Sequence, residues 1–243
     1  MAEAPKITLK YWPGRGLMEI PRLMMAISGK FPGDGYTDVR VKGTSDAGNS
    51  LDANLGRVPL CEGPNGSIGQ SGAINFFIAS ECGLMGSSTF EAAQIMNFME
   101  HIKELNTAFR DSVPWGKEPT EDGLNKFFEP NDATDFEGPA DGSKRPSRGL
   151  LWYMGRMERL VGDGFAIGGK LSLVDVALFN VFADTLPEAE HPDMPAWKRE
   201  PFTSSARTQA ALAAHPRLNA CIQSVANNEN AKKWMETRGP QGF

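Results

Sequence analysis

The spacing of apolar residues changes once along this chain, and the change limits the architectures open to it. Before Gly83 short strand-like runs alternate with helix-like ones; after it, apolar residues recur at helical spacing alone. Residues 7–12, Ile-Thr-Leu-Lys-Tyr-Trp, are rich in β-branched and aromatic side chains and read as a strand that Pro13-Gly14 ends. From Arg15, the apolar positions Leu17, Ile20, Leu23, Met24 and Ile27 trace a helix that Gly29 stops. Pro21 falls near its first turn, where backbone N–H groups lack intrahelical partners. A second strand spans 36–41, and a polar, irregular stretch follows it to Asn54. Two more strands, 58–62 and 67–70, flank Gly63-Pro64-Asn65-Gly66, where Asn-Gly supplies the positive-φ pair of a tight hairpin turn. A helix from Ser71 to Glu81 completes an α/β unit.

The remainder reads as helices. Residues 90–111 carry Ala93, Ile95, Met96, Met99, Ile102, Leu105 and Phe109 on one long helical face. The stretch 112–145 is dense in Pro, Gly, Asp and Glu and reads as a surface excursion, anchored only by Phe127, Phe128 and Phe136. A helix follows over 147–161. Another begins at Ser172, which caps it while Asp175 reaches back as the acidic partner of a capping box, and runs to Phe182. His215-Pro216-Arg217-Leu218 opens a late helix, and 232–237 belong to a last one. The expected fold class is therefore α/β followed by all-α: one domain over 1–84 and an all-helical one over 88–243, interrupted by the 112–145 excursion.

Charge and cysteine usage exclude several functions. A net charge of −5 and a pI near 5.3 do not provide the basic stripe that nucleic acid requires. No apolar run approaches the roughly 20 residues of a membrane helix. Residues 1–10 lack a signal-peptide core, so a cytoplasmic protein is expected. Cys61, Cys82 and Cys221 are far apart, show neither metal-ligand nor redox-pair spacing, and read as small apolar fillers in a reducing compartment; no metal is expected.

Four stretches resemble, in order, the cytosolic glutathione transferase superfamily, and together they span most of the chain. Tyr11-Trp12-Pro13-Gly14-Arg15-Gly16 with Glu19 and Arg22 is similar to the first strand and helix of its tyrosine-type classes (alpha, mu, pi, sigma). Gly56-Arg57-Val58-Pro59-Leu60, followed by Gly69-Gln70-Ser71-Gly72-Ala73-Ile74, is similar to the glutathione-binding strand and the turn after it. Ser172-Leu173-Val174-Asp175 resembles the family's capping box, and His215-Pro216-Arg217-Leu218 its late-helix start.

The resemblance implies a thioredoxin-like N-terminal domain, an all-helical second domain and a homodimer with two active sites. Glutathione would be a co-substrate, with no further cofactor, and its thiolate would attack a small apolar electrophile. The thiol of glutathione has a pKa of ~8.5, so little of it is ionised at neutral pH. Lowering that value by about two units takes roughly 2.7 kcal/mol of preference for the anion, which a hydroxyl donating to sulfur helps to provide. By the resemblance Tyr11 is that donor, and the absence of Ser or Cys between Tyr11 and Met18 counts against the serine- and cysteine-type classes. Arg15 belongs to the glutathione site by the same resemblance. It also implies a cis Pro59 and a Val58 backbone that pairs with the cysteinyl part of glutathione like an added strand. Gln70 and Ser71, at a helix start, would take the γ-glutamyl carboxylate. Glu100 would face the γ-glutamyl amine in the neighbouring subunit's site. The electrophile would lie between domains against Trp12, Met18, Met96, Leu105 and Phe109.

Three departures keep other readings open. Leu17 occupies the place of a second arginine that tyrosine-type members hold near the thiolate, and no tryptophan or lysine clearly matches the residues that hold the glycyl carboxylate, Lys42 being the lone lysine between 37 and 54. The excursion at 112–145 is longer than the usual link, as in non-enzymatic lens relatives. A non-catalytic structural or ligand-binding relative, and a glutathione-dependent isomerase, are the alternatives.

Overall fold

Along β1 (Thr8–Tyr11) burial alternates, with Leu9 and Tyr11 inside on one face and Thr8 and Lys10 half-buried on the other, as a two-residue period requires. In this computed structural model, which describes residues 7–129, 148–184 and 201–239 together with 195 and 197, β1 is an inner strand of a four-stranded mixed sheet. The strand order is β2-β1-β3-β4, formed by β1, β2 (Thr37–Arg40), β3 (Leu60–Gly63) and β4 (Gly66–Gly69). Strands β1 and β2 are parallel, so the chain must cross over between them, and α1 (Glu19–Ile27) is the crossover. Strand β3 runs antiparallel to both β1 and β4, and α2 (Ser71–Glu81) follows the hairpin. This is the thioredoxin-like half.

Expectation and structure differ at three places in this half. The hairpin turn is made by Pro64 and Asn65, with Gly63 and Gly66 already paired across the strands; of the expected positive-φ pair, Gly66 alone has positive φ, at 125°. The helix expected from Arg15 begins as a 3-10 turn, Gly16–Met18, which leaves Leu17 54% exposed rather than on the buried face. The stretch expected to be irregular is 3-10 helical over Thr44–Asn54, kinked at Gly48. It packs on the face of the sheet opposite α1, through Val41, Ala47 and Leu60, and Lys10 fastens it with bonds to the Ala47 carbonyl (3.0 Å), Ser50 Oγ (3.1 Å) and Glu62 (2.7 Å).

The second half is helical: α3 (Thr89–Ser112), α4 (Glu121–Phe128), α5 (Leu150–Leu160), α6 (Leu173–Phe182), α7 (Ser205–Ala213), α8 (Pro216–Ala226) and α9 (Glu229–Thr237). Helix α6 is apolar all round and buried, and packs against α8, α3 and α1. Its start is the expected capping box: buried Asp175 accepts from Ser172 N–H (2.8 Å), Ser172 Oγ (2.7 Å) and Ala166 N–H (2.7 Å). The excursion is not wholly irregular, since α4 lies within it and buries Phe127 and Phe128; Phe136 falls outside the described residues. Helix α7 had no counterpart in the sequence reading, because its inward positions are alanine, threonine and a lone leucine rather than a strong apolar stripe.

Buried charges join the two halves. On α1, Glu19 lies 3.7 Å from Arg22 and accepts from Trp234 Nε1 of α9 (2.8 Å) and from Arg238 just beyond it (2.7 Å). Arg238 also pairs with Asp184 (2.8 Å), which in turn holds Arg15 (2.9 Å). Removing one partner of such a pair leaves a desolvated charge, at a cost of roughly 3–5 kcal/mol. Asp184→Ala should therefore lower stability by about that much, read as a fall in urea midpoint at unchanged slope. A midpoint within experimental error of wild type would show that the network does not bind the halves together.

Candidate functional site

Strand register decides which chain segments meet. Lys10, next to Tyr11, pairs with Leu60, and Leu60 pairs with Gly69. Neighbouring strands are ~4.8 Å apart, so the end of β1, the approach to β3 and the end of β4 lie side by side. Tyr11, Val58-Pro59 and Gln70-Ser71 thus gather at one end of the sheet, although more than fifty positions separate the first from the last.

Tyr11 is 6% exposed, and its hydroxyl lies against the turn that leads into α1. Gly16, at φ +39°, approaches so closely that a Cβ there would stand 2.7 Å from the Tyr11 oxygen. The Leu17 backbone N–H lies on the same side and favours the ionised form of that oxygen. Burial raises the phenol pKa above its ordinary 10; the Leu17 N–H and the Arg22 guanidinium pull the other way without cancelling it. A raised phenol pKa means that the proton is held, so at neutral pH Tyr11 is a hydrogen-bond donor and not a base. The turn itself is pinned at the Gly14 carbonyl, which accepts from Arg22 Nη1 (2.7 Å) and Arg40 Nη1 (3.1 Å). Arg15 is 1% exposed and its guanidinium is engaged by the Asp184 carboxylate (2.9 Å) and carbonyl (2.9 Å), in the seam between the halves.

The Val58–Pro59 peptide bond is cis, as the resemblance implies. Among the described residues no hydrogen bond engages the N–H or C=O of Val58, so both can face a ligand backbone. Asn54, at the end of the 3-10 segment, supports this loop: its Nδ2 donates to the Pro59 carbonyl (3.0 Å), and a Cβ on Gly69 would collide with its side chain. Asn54 was missed by sequence reading, and the signal for it is weak, a buried amide at the end of a polar stretch. Gln70 is exposed and adopts φ +65°, ψ 124°, a conformation rare for a residue with a side chain. Ser71 is the first helical residue, with Gln70 in the capping position, and no side chain caps α2 there. The first N–H groups of α2 are thus available to an anion.

The other expected site residues are spread more widely. Met18, Leu105 and Phe109 are buried in the main core, Phe109 edge-on to Phe127 and Phe202 at 5.1 Å each. Trp12 is half-buried against the cluster under the 3-10 segment, and Met96 is half-buried on α3. Glu100 is exposed and pairs with Lys103 one turn away (3.2 Å). Lys42 is exposed. Burial, with Glu62 beside Cys61 and Asp175 beside Cys221, pushes both thiols up to about 12, and burial also raises Cys82, so the cysteines stay protonated and unreactive at neutral pH. Among the described residues no group of His, Cys, Asp or Glu could hold a metal ion, and no helix is long and apolar enough to cross a membrane.

Comparison with known proteins bears on the fold and the family. Residues 148–238 match the family model "Glutathione S-transferase, C-terminal domain". The chain is 24% identical to probable glutathione S-transferase 7 of Caenorhabditis elegans over 95% of either chain. It is likewise 24% identical to probable glutathione S-transferase 8 of that organism, over 97% of this chain and 98% of the relative. A glutathione S-transferase of the hookworm Necator americanus, described as monomeric, superposes with a TM-score of 0.68 at 21% identity, covering 98% of this chain and 100% of its own.

The packing of Gly16 on the Tyr11 hydroxyl generates a test. Gly16→Ala should destabilise the fold by about 1–2 kcal/mol from the left-handed backbone alone and push the Tyr11 ring outwards. Because burial raises the phenol pKa, partial exposure should bring the Tyr11 titration, followed by NMR, down towards its ordinary value. Unchanged stability together with an unchanged titration would refute the contact.

Proposed function

We propose that this chain, which belongs to the cytosolic glutathione transferase superfamily, stabilises the thiolate of glutathione with the Tyr11 hydroxyl and adds it to a small apolar electrophile. The observation that carries the reading is the gathering of a buried, neutral tyrosine, a Val58 backbone unpaired among the described residues and a helix start without a side-chain cap at one end of the sheet. Val58 pairs with the cysteinyl part of glutathione, which sets the sulfur near Tyr11. The γ-glutamyl carboxylate takes the N–H groups at the start of α2 beside Gln70 and Ser71. Arg15 serves the site indirectly, by fixing the turn to Asp184. Leu17, exposed next to the Tyr11 oxygen, gives the electrophile an apolar surface. In this reading residues 1–84 bind glutathione and residues 88–243 supply most of the surface for the second substrate.

A second reading, a relative that binds glutathione without turning it over, is favoured by one observation, the apolar Leu17 where a cation would assist the thiolate. The two separate in a single variant. Tyr11→Phe should retain the fold and most glutathione affinity while lowering turnover roughly 10- to 150-fold near neutral pH, the worth of a hydrogen bond to a charged group. The bound-thiol titration, read as thiolate ultraviolet absorbance, should move towards the free value. In the wild type the rate should rise with pH as the thiol ionises and show no falling limb from Tyr11 below about pH 10, because the phenol pKa is raised. No thiolate near neutral pH in the glutathione-bound wild type would replace catalysis with the second reading.

The binding half of the proposal has its own measurement. Replacing Gln70 and Ser71 together by alanine should weaken glutathione binding at least about tenfold by calorimetry, and unchanged affinity would remove them from the site. The same calorimetry on Glu100→Ala, beside light scattering, decides whether a second copy shares the site. A homodimer with weakened binding is expected, and a monomer excludes Glu100.

A further inference from the structure

We propose that Arg40 is a positioning residue for thiolate activation: together with Arg22 it holds the Gly14 carbonyl, and so keeps the Tyr11 hydroxyl aimed at the sulfur. The inference rests on the Tyr11 reading above and extends it to residues on another strand.

Arg40 is the register partner of Tyr11 in the parallel β1–β2 pair, and the Val41 N–H binds the Tyr11 carbonyl at 2.8 Å. Partners in register point to the same face of a sheet, and from there Arg40 reaches the Gly14 carbonyl at 3.1 Å, while Arg22 of α1 reaches the same oxygen at 2.7 Å. Asp38, two residues before Arg40 and on its face, binds both guanidinium groups: Oδ2 accepts from Arg40 Nε at 2.8 Å, and Oδ1 from Arg22 Nη2 at 3.1 Å. One carboxylate thus sets two planar forks on a single carbonyl oxygen, whose two lone pairs can accept both.

Gly14 precedes the residues that touch the hydroxyl. Gly16 abuts the Tyr11 oxygen and ring, so the path of the turn after Gly14 sets where the hydroxyl can point, and the Leu17 backbone N–H favours its ionised form. Leucine at position 17 carries no charge that could assist the thiolate. Activation then depends on where Tyr11 and the Leu17 N–H point, and misplacements well under an ångström weaken such contacts steeply. The other charged or titratable groups around this corner are Arg15 on the turn, Glu19 on α1, Tyr36 before β2, and Asp184 and Arg238 from the helical half.

The test is the bound-thiol titration in the full chain, with Arg40→Met, Arg40→Lys and Tyr11→Phe side by side. Arg40→Met should make bound glutathione about threefold or more less acidic and lower kcat/KM near pH 6.5 by roughly three- to tenfold. Glutathione affinity near pH 5.5, where the thiol is neutral in every variant, should stay within about twofold. Arg40→Lys keeps the charge but not the fork, and should remain displaced in the same direction; it carries the test alone if Arg40→Met does not fold. A wild-type titration in Arg40→Met, or full restoration by lysine, while Tyr11→Phe still shifts the thiol, overturns the clamp and leaves the tyrosine mechanism standing. If Tyr11→Phe shifts nothing, the underlying reading fails first and the clamp with it.

Discussion

An alternating run of charge, Arg40, Asp38, Arg22, Glu19, Arg238, Asp184 and Arg15, crosses the molecule from the second strand to the last helix, largely shielded from water. Taking ions out of water costs several kcal/mol each, and their mutual attraction repays this only when the geometry is good and spare donors and acceptors are used. Many of them are used: guanidinium groups that meet carboxylates also donate to the carbonyls of Gly14 and Asp184, and Trp234 adds its indole N–H to Glu19, while among the described residues Glu19 Oε2 has only the ion pair with Arg22. Net stability is not the main product of such a network, since an apolar replacement of equal volume is often as stable. Its product is angle. A guanidinium fork fixes direction as well as distance, and three of the charges, Arg15, Glu19 and Arg22, lie on the turn and helix that follow Tyr11.

That placement explains how a turn with little regular structure can serve chemistry. Between β1 and α1 the chain makes one 3-10 turn and few other backbone bonds of its own. Arginine contacts do the work that a strand ladder does elsewhere, gripping carbonyls from below while Gly16 lets the backbone come up against the phenol. The other side of the site is held differently. Lys10 and the small cluster of Val41, Ala47 and Leu60 fasten the 3-10 segment to the sheet, and Asn54 at its end carries the loop before β3. The site is thus supported on both faces of the same sheet, ionically on one and mainly by packing on the other.

The helical half depends on α6, whose apolar residues pack in every direction and whose start is closed by Asp175 against Ser172 and Ala166. Asp184, two residues past its end, feeds the charge network. One helix therefore links the helical core to the corner where Tyr11 lies.

Much of this was legible in the sequence. The first strand, the boundaries of α2, the long apolar face of α3 and the Ser172–Asp175 box depend on neighbours within a few residues, and local physics decides them. So does the family likeness, which rests on short motifs in order. The hairpin turn was misplaced by one residue, since Pro64 can open a turn as well as Asn65-Gly66 can close one, and α7 escaped notice for want of a strong stripe. What the sequence could not show is which distant residues share a carbonyl or a carboxylate. Arg15 looked like a ligand contact, yet it meets Asp184, 169 positions away. Phe109 looked like a cleft wall, yet it packs on Phe127 and Phe202. Arg40 falls within the strand read over 36–41, and only the parallel register puts it beside Tyr11. Periodicity tells a side chain which face to take, but its partner is set by strand order and helix docking, and those are decided only when the whole chain has folded.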